Sequence, residues 1–277
     1  MTLAATGDAR CHFSAASQQV LIKHERRCER SMHATLAEHA SCGMPIERVD
    51  SLNWSAITDH LNAFGNAVFP GLLTPAECQS LSSMYSVADH FRSRVTMGRH
   101  GFGRGEYQYF NYPLPSIIEG FRTALYAKLA PIANAWNEAM GIDVRYPEVH
   151  AEFLGRCHAA GQARPTPLLL QYGAGDYNCL HQDLYGEHVF PIQIAALLAQ
   201  PGVDFTGGEF VMTEQRPRMQ SRPEIVPLKQ GDAVAFAVNL RPVQGTRGIY
   251  RVKMKHGVSR LRSGQRHTLG IIFHDAA

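Results

Sequence analysis

From Leu52 onward, apolar and polar positions recur regularly enough for elements to be read off the chain. Trp54, Ile57, Leu61 and Phe64 follow helical spacing and Gly65 comes directly after them, which predicts a helix ending at that glycine. Asn66 to Phe69 then reads as a short strand. Thr74-Pro75-Ala76-Glu77 is a capping box with proline in the first helical position, opening a helix through about Val87. A longer stripe of helical period runs through Ile117, Phe121, Leu125, Leu129, Ile132, Trp136 and Met140 and closes at Gly141. Pro131 is expected to bend or split that helix near Ala130. From Leu168 to the end, short extended runs and turns dominate: Ile192 to Leu198, Thr206 to Val211, Gly231 to Phe236 and Arg266 to Phe273. Short strands following helices predict an α+β chain whose second half is a jelly-roll or cupin-like double-stranded β-helix core with supporting N-terminal helices. No internal repeat of solenoid period is visible.

These patterns divide the chain into an N-terminal extension, residues 1 to 50, helical or partly disordered, and one domain over residues 51 to 277. Within that domain, residues 51 to 165 are expected to give helical support and residues 166 to 277 the jelly-roll core. At 277 residues and 45% hydrophobic content the chain can bury a full core. It holds no apolar run of about 18 residues, so no transmembrane helix is expected, and its first residues lack a secretory pattern. Six cysteines (Cys11, Cys28, Cys42, Cys78, Cys157 and Cys179) are scattered without a C-x-x-C pair. That fits free thiols in a reducing cytoplasm, with no membrane partner. The extension carries Lys23, Arg26, Arg27 and Arg30 in the piece KHERRCER, a solvated helical face or an arm that touches nucleic acid.

Phe91 to Pro115 interleaves Arg92, Arg94, Arg99 and Arg104 with Tyr107, Tyr109, Phe110 and Tyr112. Such a mixture suits a phosphate backbone with stacked bases. It suits equally a β-hairpin whose aromatics pack inward and whose arginines are solvated. Its glycines lack the flanking strand, Lys-Ser/Thr and helix of a P-loop, so nucleoside triphosphate binding is not expected.

The chemistry gathers around Leu168 to Phe190. His181 and Asp183 stand two residues apart, and on a strand that spacing points both side chains to one face. His256 lies far enough on to come from another strand. Two histidines and one carboxylate form a facial metal triad, suited to non-haem Fe(II), that leaves other coordination positions open. Arg266 and Thr268 share a strand face further on. A guanidinium fork with a hydroxyl is what the far end of a buried dicarboxylate needs. Cys179 shares the spacing of His181 but is expected to pack. His150 and His158 have no partner at metal spacing and are expected to be structural or surface residues.

H-x-D, a distant His, then R-x-T resembles the arrangement of Fe(II)/2-oxoglutarate dioxygenases. The resemblance implies that His181, Asp183 and His256 bind Fe(II), that Arg266 with Thr268 binds the far carboxylate of 2-oxoglutarate, and that Tyr172 donates a hydrogen bond to this cosubstrate, with O2 as the oxidant. The segment YGAGDYNCLHQD is similar to that of AlkB-type demethylases, with the same interval from Tyr172 to His181. The wider sequence, including RHGFGRGEY, RPTPLLL, TEQRPRMQSR and HGVSRLRSGQRHTLGIIFHDA, resembles a prokaryotic family of oxygenases for damaged nucleic acid. Two positions depart from the AlkB pattern. Leu170 stands where those proteins carry Asn, and Ile272 where they carry a second arginine.

The resemblance thus implies oxidative demethylation of alkylated bases in DNA, single strands included, with Tyr107, Tyr109 and Phe110 as candidates for stacking the base. Between Glu214 and Arg266 stand twelve Lys/Arg against three acids, an excess of nine positive charges in a chain whose net charge is only +3. Such a field draws a phosphate backbone; pairing of these arginines with carboxylates elsewhere is the alternative. Two other functions fit the sequence. One is a 2-oxoglutarate-dependent hydroxylase of a protein side chain, because the interval from His256 to Arg266 resembles prolyl hydroxylases at least as well. The other is a non-catalytic nucleic-acid-binding protein.

Overall fold

The computed structural model of the protein describes residues 43–277. The basic piece Lys23 to Arg30 and Cys11, Cys28 and Cys42 lie outside the described residues. The first element, α1 (Pro45–Asp50), falls inside the stretch expected as an extension, yet Val49 is fully buried in the main core. Arg48 ties α1 to the body through a two-pronged ion pair with Glu77, at 2.8 and 2.7 Å.

Helix α2 (Trp54–Phe64) starts where the Asn53 side chain accepts from the Ala56 N–H, and stops at Gly65, whose φ of 76° is left-handed. Strand β1 (Asn66–Phe69) follows, then α3 (Pro75–Ser83), which opens on the expected capping box between Thr74 and Glu77. A hairpin-like unit comes next: β2 (Phe91–Thr96), β3 (Gly103–Arg104) and β4 (Glu106–Phe110). Helix α4 (Ser116–Ala139) runs through Pro131 without a break, so of the expected bend or split the split does not occur. Proline costs about 3 kcal/mol within a helix. The burial of Leu129, Ala130, Ile132 and Ala133 around it outweighs that cost. Helix α5 (His150–Ala159) completes the helical layer.

The remaining strands are β5 (Leu168–Gly173), β6 (Tyr177–His181), β7 (Ile192–Leu197), β8 (Phe205–Gly207), β9 (Phe210–Gln215), β10 (Arg222–Val226), β11 (Ala233–Ala237), β12 (Leu240–Gly245), β13 (Gly248–Val258) and β14 (Leu261–Ile271). They form two antiparallel sheets. The larger, of eight strands, runs β1-β11-β7-β14-β5-β4-β2, with β8 also on β14; the smaller, of six, runs β10-β9-β13-β6-β3, with β12 also on β13. This is the expected α+β jelly-roll core, and its two sheets do not close into a barrel. Strands β1, β2 and β4, from the stretch expected to give helical support, extend the larger sheet at both ends. They cover edges that would otherwise leave backbone N–H and C=O groups unpaired.

Strand alternation divides the larger sheet between two tasks. On β14, Leu269 and Ile271 join the core made with the helices, as do Ile192, Ile194 and Ala196 of β7. Arg266, Thr268 and Gly270 face the other way, into the cavity between the sheets.

Behind the sheet, a polar network fixes the C-terminus. Asp275, fully buried, pairs with Arg122 at 2.8 Å and accepts from the Tyr112 hydroxyl at 2.9 Å and from His158 Nε2 at 2.8 Å. His150 Nε2 meets the Phe273 carbonyl at 2.8 Å, so His150 and His158 are structural, as expected.

Burial first, and then the Arg122 charge, pushes both His150 and His274 down to about 4. In the unfolded chain they titrate near 6.5. Between those values the unfolded chain holds more protons than the folded one. Stability from these groups is therefore full above pH 6.5 and is lost as the pH falls towards 4. Burial alone would raise the Asp275 carboxyl, but Arg122 and His158 hold it below its ordinary range, so it acts in the same direction at the acid end. Urea unfolding at pH 4.5 is expected to give a stability lower by about 3 kcal/mol or more than at pH 7.

Candidate active site

The cavity between the sheets encloses about 270 Å³ and is walled by both of them. Strand β6 supplies His181 and β13 supplies His256, which are direct register partners across the antiparallel pair. Their ring centroids lie 4.2 Å apart. Strand β6 ends at His181, so Asp183 stands just beyond it rather than on a shared strand face as expected. Its position is set instead by Gln182, whose amide donates to Asn239 Oδ1 at 2.7 Å and to the Met254 carbonyl at 2.8 Å. Gln182 thus fastens the segment carrying Asp183 to the strand carrying His256.

The Asp183 carboxylate reaches both imidazoles, with Oδ1 3.4 Å from His181 Nε2 and Oδ2 3.5 Å from His256 Nε2. One donor atom from each of the three residues falls within 4.8 Å of the others. A first-row metal with bonds near 2.1 Å holds adjacent ligand atoms roughly 3 Å apart, so the triad fits one ion with little movement. His181 Nδ1 lies 2.8 Å from the Cys179 carbonyl. That contact places the proton on Nδ1 and leaves the Nε2 lone pair directed at the site. Burial opposes ionisation of Asp183, but the two histidines hold its carboxyl far below the usual range. Burial also works against the charge on His181, and the Asp183 hydrogen bond outweighs it and raises that imidazole. For His256 burial wins, and the imidazole is pushed down towards the neutral, ligating form.

Because the Gln182 amide fastens the segment carrying Asp183 and is not one of the three ligating residues, Gln182→Ala is expected to weaken Fe(II) affinity about 10- to 100-fold. Anaerobic competition with a metal chelator measures this directly.

Strand β6 contains a bulge: 178 to 181 on β6 spans the same ladder as 256 to 258 on β13. The extra residue brings both Asn178 and His181 to the cavity and turns Cys179 and Leu180 outward. Cys179 is therefore an exposed free thiol, not a packing residue sharing the His181 face. Gly257 opposite permits the close approach, since a Cβ there would sit 2.7 Å from the Asn178 carbonyl oxygen.

Arg266 is 2% exposed and donates from Nη1 to Thr268 Oγ1 at 2.5 Å. Its Nε has no partner, and no carboxylate pairs with it among the described residues. Tyr172 and Phe205 flank the guanidinium with ring centroids 5.7 and 5.9 Å away. Burial pushes Arg266 down to about 10, so it remains a cation at neutral pH. The Tyr172 hydroxyl is buried beside Arg266 and Asn178. A buried, unpaired cation costs several kcal/mol. A carboxylate entering from the cavity removes that cost, so the donor set fits a diacid such as 2-oxoglutarate.

Tyr107 and Tyr109 line the same cavity, edge to face at 5.3 Å, joined by Tyr185 and Phe102. Burial raises the Tyr107 phenol to about 12 and the Tyr109 phenol further. Phe110 is on the opposite face of β4, fully buried against Phe91 at 4.8 Å, so it cannot stack a bound base. Residues 107 and 109 share a face by alternation, and 110 does not. Leu170 and Ile272, the two departures from the AlkB pattern, both line the cavity.

The basic residues near the site are less free than their number suggests. Arg92 donates to the Pro165 carbonyl and lies over the Tyr109 ring; Arg94 pairs with Glu106 and Arg104 with Asp176. Arg216, Arg222 and Arg241 all converge on the buried Glu214. Residues that the sequence did not point to are Gln182, Phe236, whose ring packs 4.5 Å from His256, and Gln193. Gln193 had a signal, a lone polar residue in the apolar run Ile192 to Leu198.

Residues 105–276 match a family model described as "Oxygenase, catalysing oxidative methylation of damaged DNA". Two Mycobacterium tuberculosis proteins, uncharacterized protein Rv2227 (strain ATCC 25618 / H37Rv) and uncharacterized protein MT2286 (strain CDC 1551 / Oshkosh), are each 47% identical to this chain over 183 residues. The alignment covers 65% of this chain and 78% of theirs. Among solved structures, an oxidoreductase of the 2OG-Fe(II) oxygenase family from Burkholderia pseudomallei aligns at a TM-score of 0.47 and 13% identity, over 82% of this chain and 94% of that one.

Proposed function

The chain belongs to this oxygenase family, and from that premise we propose that it removes alkyl groups oxidatively from damaged bases in DNA. In this reading it is a 2-oxoglutarate-dependent dioxygenase whose reaction uses Fe(II), 2-oxoglutarate and O2, supported by the oxygenase family and the His-Asp-His cluster. One observation carries the assignment of residues: the triad His181, Asp183 and His256 shares a single cavity with a buried guanidinium that has no counter-ion among the described residues.

In this reading His181, Asp183 and His256 would hold the metal, a set of three that leaves room for the cosubstrate. When bound, the Fe(II)–2-oxoglutarate pair and O2 supply an oxidant for a substrate C–H, and the diacid leaves as succinate and CO2. Arg266 takes the far carboxylate in its fork, with the Thr268 hydroxyl beside it and the Tyr172 hydroxyl donating to the same ligand. Cys179 holds the His181 proton away from the metal through its carbonyl. Tyr107, Tyr109 and Tyr185 wall the opening and keep water from the reacting carbon. A methyl on a base nitrogen, once hydroxylated, breaks away as formaldehyde. The base reaches the site only when flipped from a duplex or held in a single strand.

The aromatic wall and the family description support a nucleic-acid substrate. The test supplies Fe(II), ascorbate and 2-oxoglutarate with methylated single-stranded DNA. Succinate and formaldehyde are expected in equal amounts. Succinate that ignores every oligonucleotide, with a protein gaining one oxygen in mass instead, would replace this reading with the side-chain hydroxylase. Absence of succinate altogether would leave only the non-catalytic binding protein.

A further inference from the structure

Gln193 is a buried polar residue that neither the metal nor the cosubstrate accounts for. It lies on β7, 4% exposed, facing the cavity in the alternation that also sends Ala195 inward. Its side-chain amide nitrogen has no hydrogen-bond partner among the described residues. A buried amide left unpaired is costly, so the position calls for a ligand group. Gln182, the other cavity-lining glutamine, is already engaged by Asn239 and Met254.

The register shows which ligand can reach Gln193. Thr268 on β14 is opposite Leu197 on β7, and Ile271 is opposite Ile194. Continuing that ladder, Arg266 lies level with residue 199, six positions from Gln193, or roughly 20 Å along the strand. A diacid anchored on Arg266 is far shorter than that. The neighbours of Gln193 belong instead to the metal side of the cavity. Phe236 is its register partner on β11 and packs on His256, while Ile272, the position of the missing second arginine, follows Ile271 on β14. Leu168, Ala195 and Tyr109 complete an apolar and aromatic lining. One neutral amide in such a wall does not suit a phosphate or a carboxylate, which would need a cation. It suits a flat ring whose edge presents a donor beside an acceptor.

We propose that Gln193 is the specificity-determining residue that reads the edge of the bound base, pairing its carbonyl with an exocyclic amino group and its amide N–H with the neighbouring ring nitrogen. This rests on the nucleic-acid reading above. A methyl on the Watson–Crick side of adenine leaves its amino group and N7 free for that pair. The enzyme should therefore favour an alkylated adenine over an alkylated cytosine, which offers no matching ring nitrogen once its own is methylated.

The test is a cycle between protein and ligand, read by fluorescence anisotropy on the Fe(II)- and 2-oxoglutarate-loaded protein without oxygen. Single-stranded oligonucleotides carry one N1-methyladenine or its 7-deaza analogue. Gln193→Met keeps the side-chain volume and removes the amide. It is expected to weaken binding of the N1-methyladenine strand about ten- to a hundredfold. The 7-deaza strand should bind the unaltered protein more weakly, and the Met substitution should then cost little more, because the two changes remove the same contact. Additive losses, or a Met variant whose defect is in 2-oxoglutarate affinity, would overturn the proposal while leaving the nucleic-acid reading intact. Failure of both strands to bind the unaltered protein would sink both readings. A thermal melt of the variant guards against misfolding, and the 7-deaza arm needs no variant.

Discussion

Asp183→Ala is expected to lower Fe(II) affinity by more than about 100-fold and to abolish succinate formation, with the fold intact. Loss of a group that merely orients a ligand costs about 10- to 100-fold in metal affinity, and Asp183 is the sole anion in the donor set. Its carboxylate also offsets the positive charge of the bound ion and holds both imidazoles, at 3.4 and 3.5 Å. The residue stands beyond the end of β6, outside the hydrophobic core, and Gln182 still fastens the segment to Asn239 and Met254. Anaerobic metal competition gives the affinity, and circular dichroism checks the fold. Unchanged Fe(II) binding in this variant would remove the triad from the account.

Arg266→Met is expected to raise the 2-oxoglutarate concentration needed for half-maximal turnover about 100-fold or more, while raising the melting temperature of the protein without cosubstrate. The two effects share one cause. Truncating one partner of a buried, hydrogen-bonded charge pair costs about 2–5 kcal/mol, and that loss appears in cosubstrate affinity. Without the diacid, however, the same guanidinium is a buried cation with an unpaired Nε and a hydroxyl as its hydrogen-bond acceptor. An apolar side chain of similar bulk between Tyr172 and Phe205 relieves that cost. The unaltered protein should gain thermal stability when 2-oxoglutarate is added, since a ligand that binds only the folded state stabilises it. The Met variant should gain none at the same concentration. A variant that loses stability without the diacid would mean that Arg266 has a structural partner instead.

The chemistry of this chain was easier to read in its sequence than its geometry. His181, Asp183, His256 and Arg266 could be singled out because each type is unusual on a short strand and their order implied a shared purpose. Their convergence follows from cross-strand pairing of β6 with β13 and from β14 turning alternate residues inward. Two of the misreadings turn on how a strand's alternation runs. A bulge in β6 moved Cys179 off the face of His181, and alternation on β4 separated Phe110 from Tyr107 and Tyr109. Pro131 stayed within a helix because the burial of Leu129, Ala130, Ile132 and Ala133 beside it outweighed its missing hydrogen bond. Local charge counting missed where the charges sit, because Glu214 gathers three arginines from β9, β10 and β12 or their ends, a meeting that no sequence spacing announces. Gln193 was visible as a polar residue in an apolar run. Its role depended on which strand faced it.

The most direct test of the account is an anaerobic titration of the Fe(II)-loaded protein with 2-oxoglutarate, followed by the visible charge-transfer absorption of the chelate. The band is expected to saturate near one equivalent in the unaltered protein, to require a large excess in Arg266→Met, and to be missing in Asp183→Ala. Bands of equal strength and midpoint in all three proteins would contradict the claim that one cavity holds both the metal and the diacid.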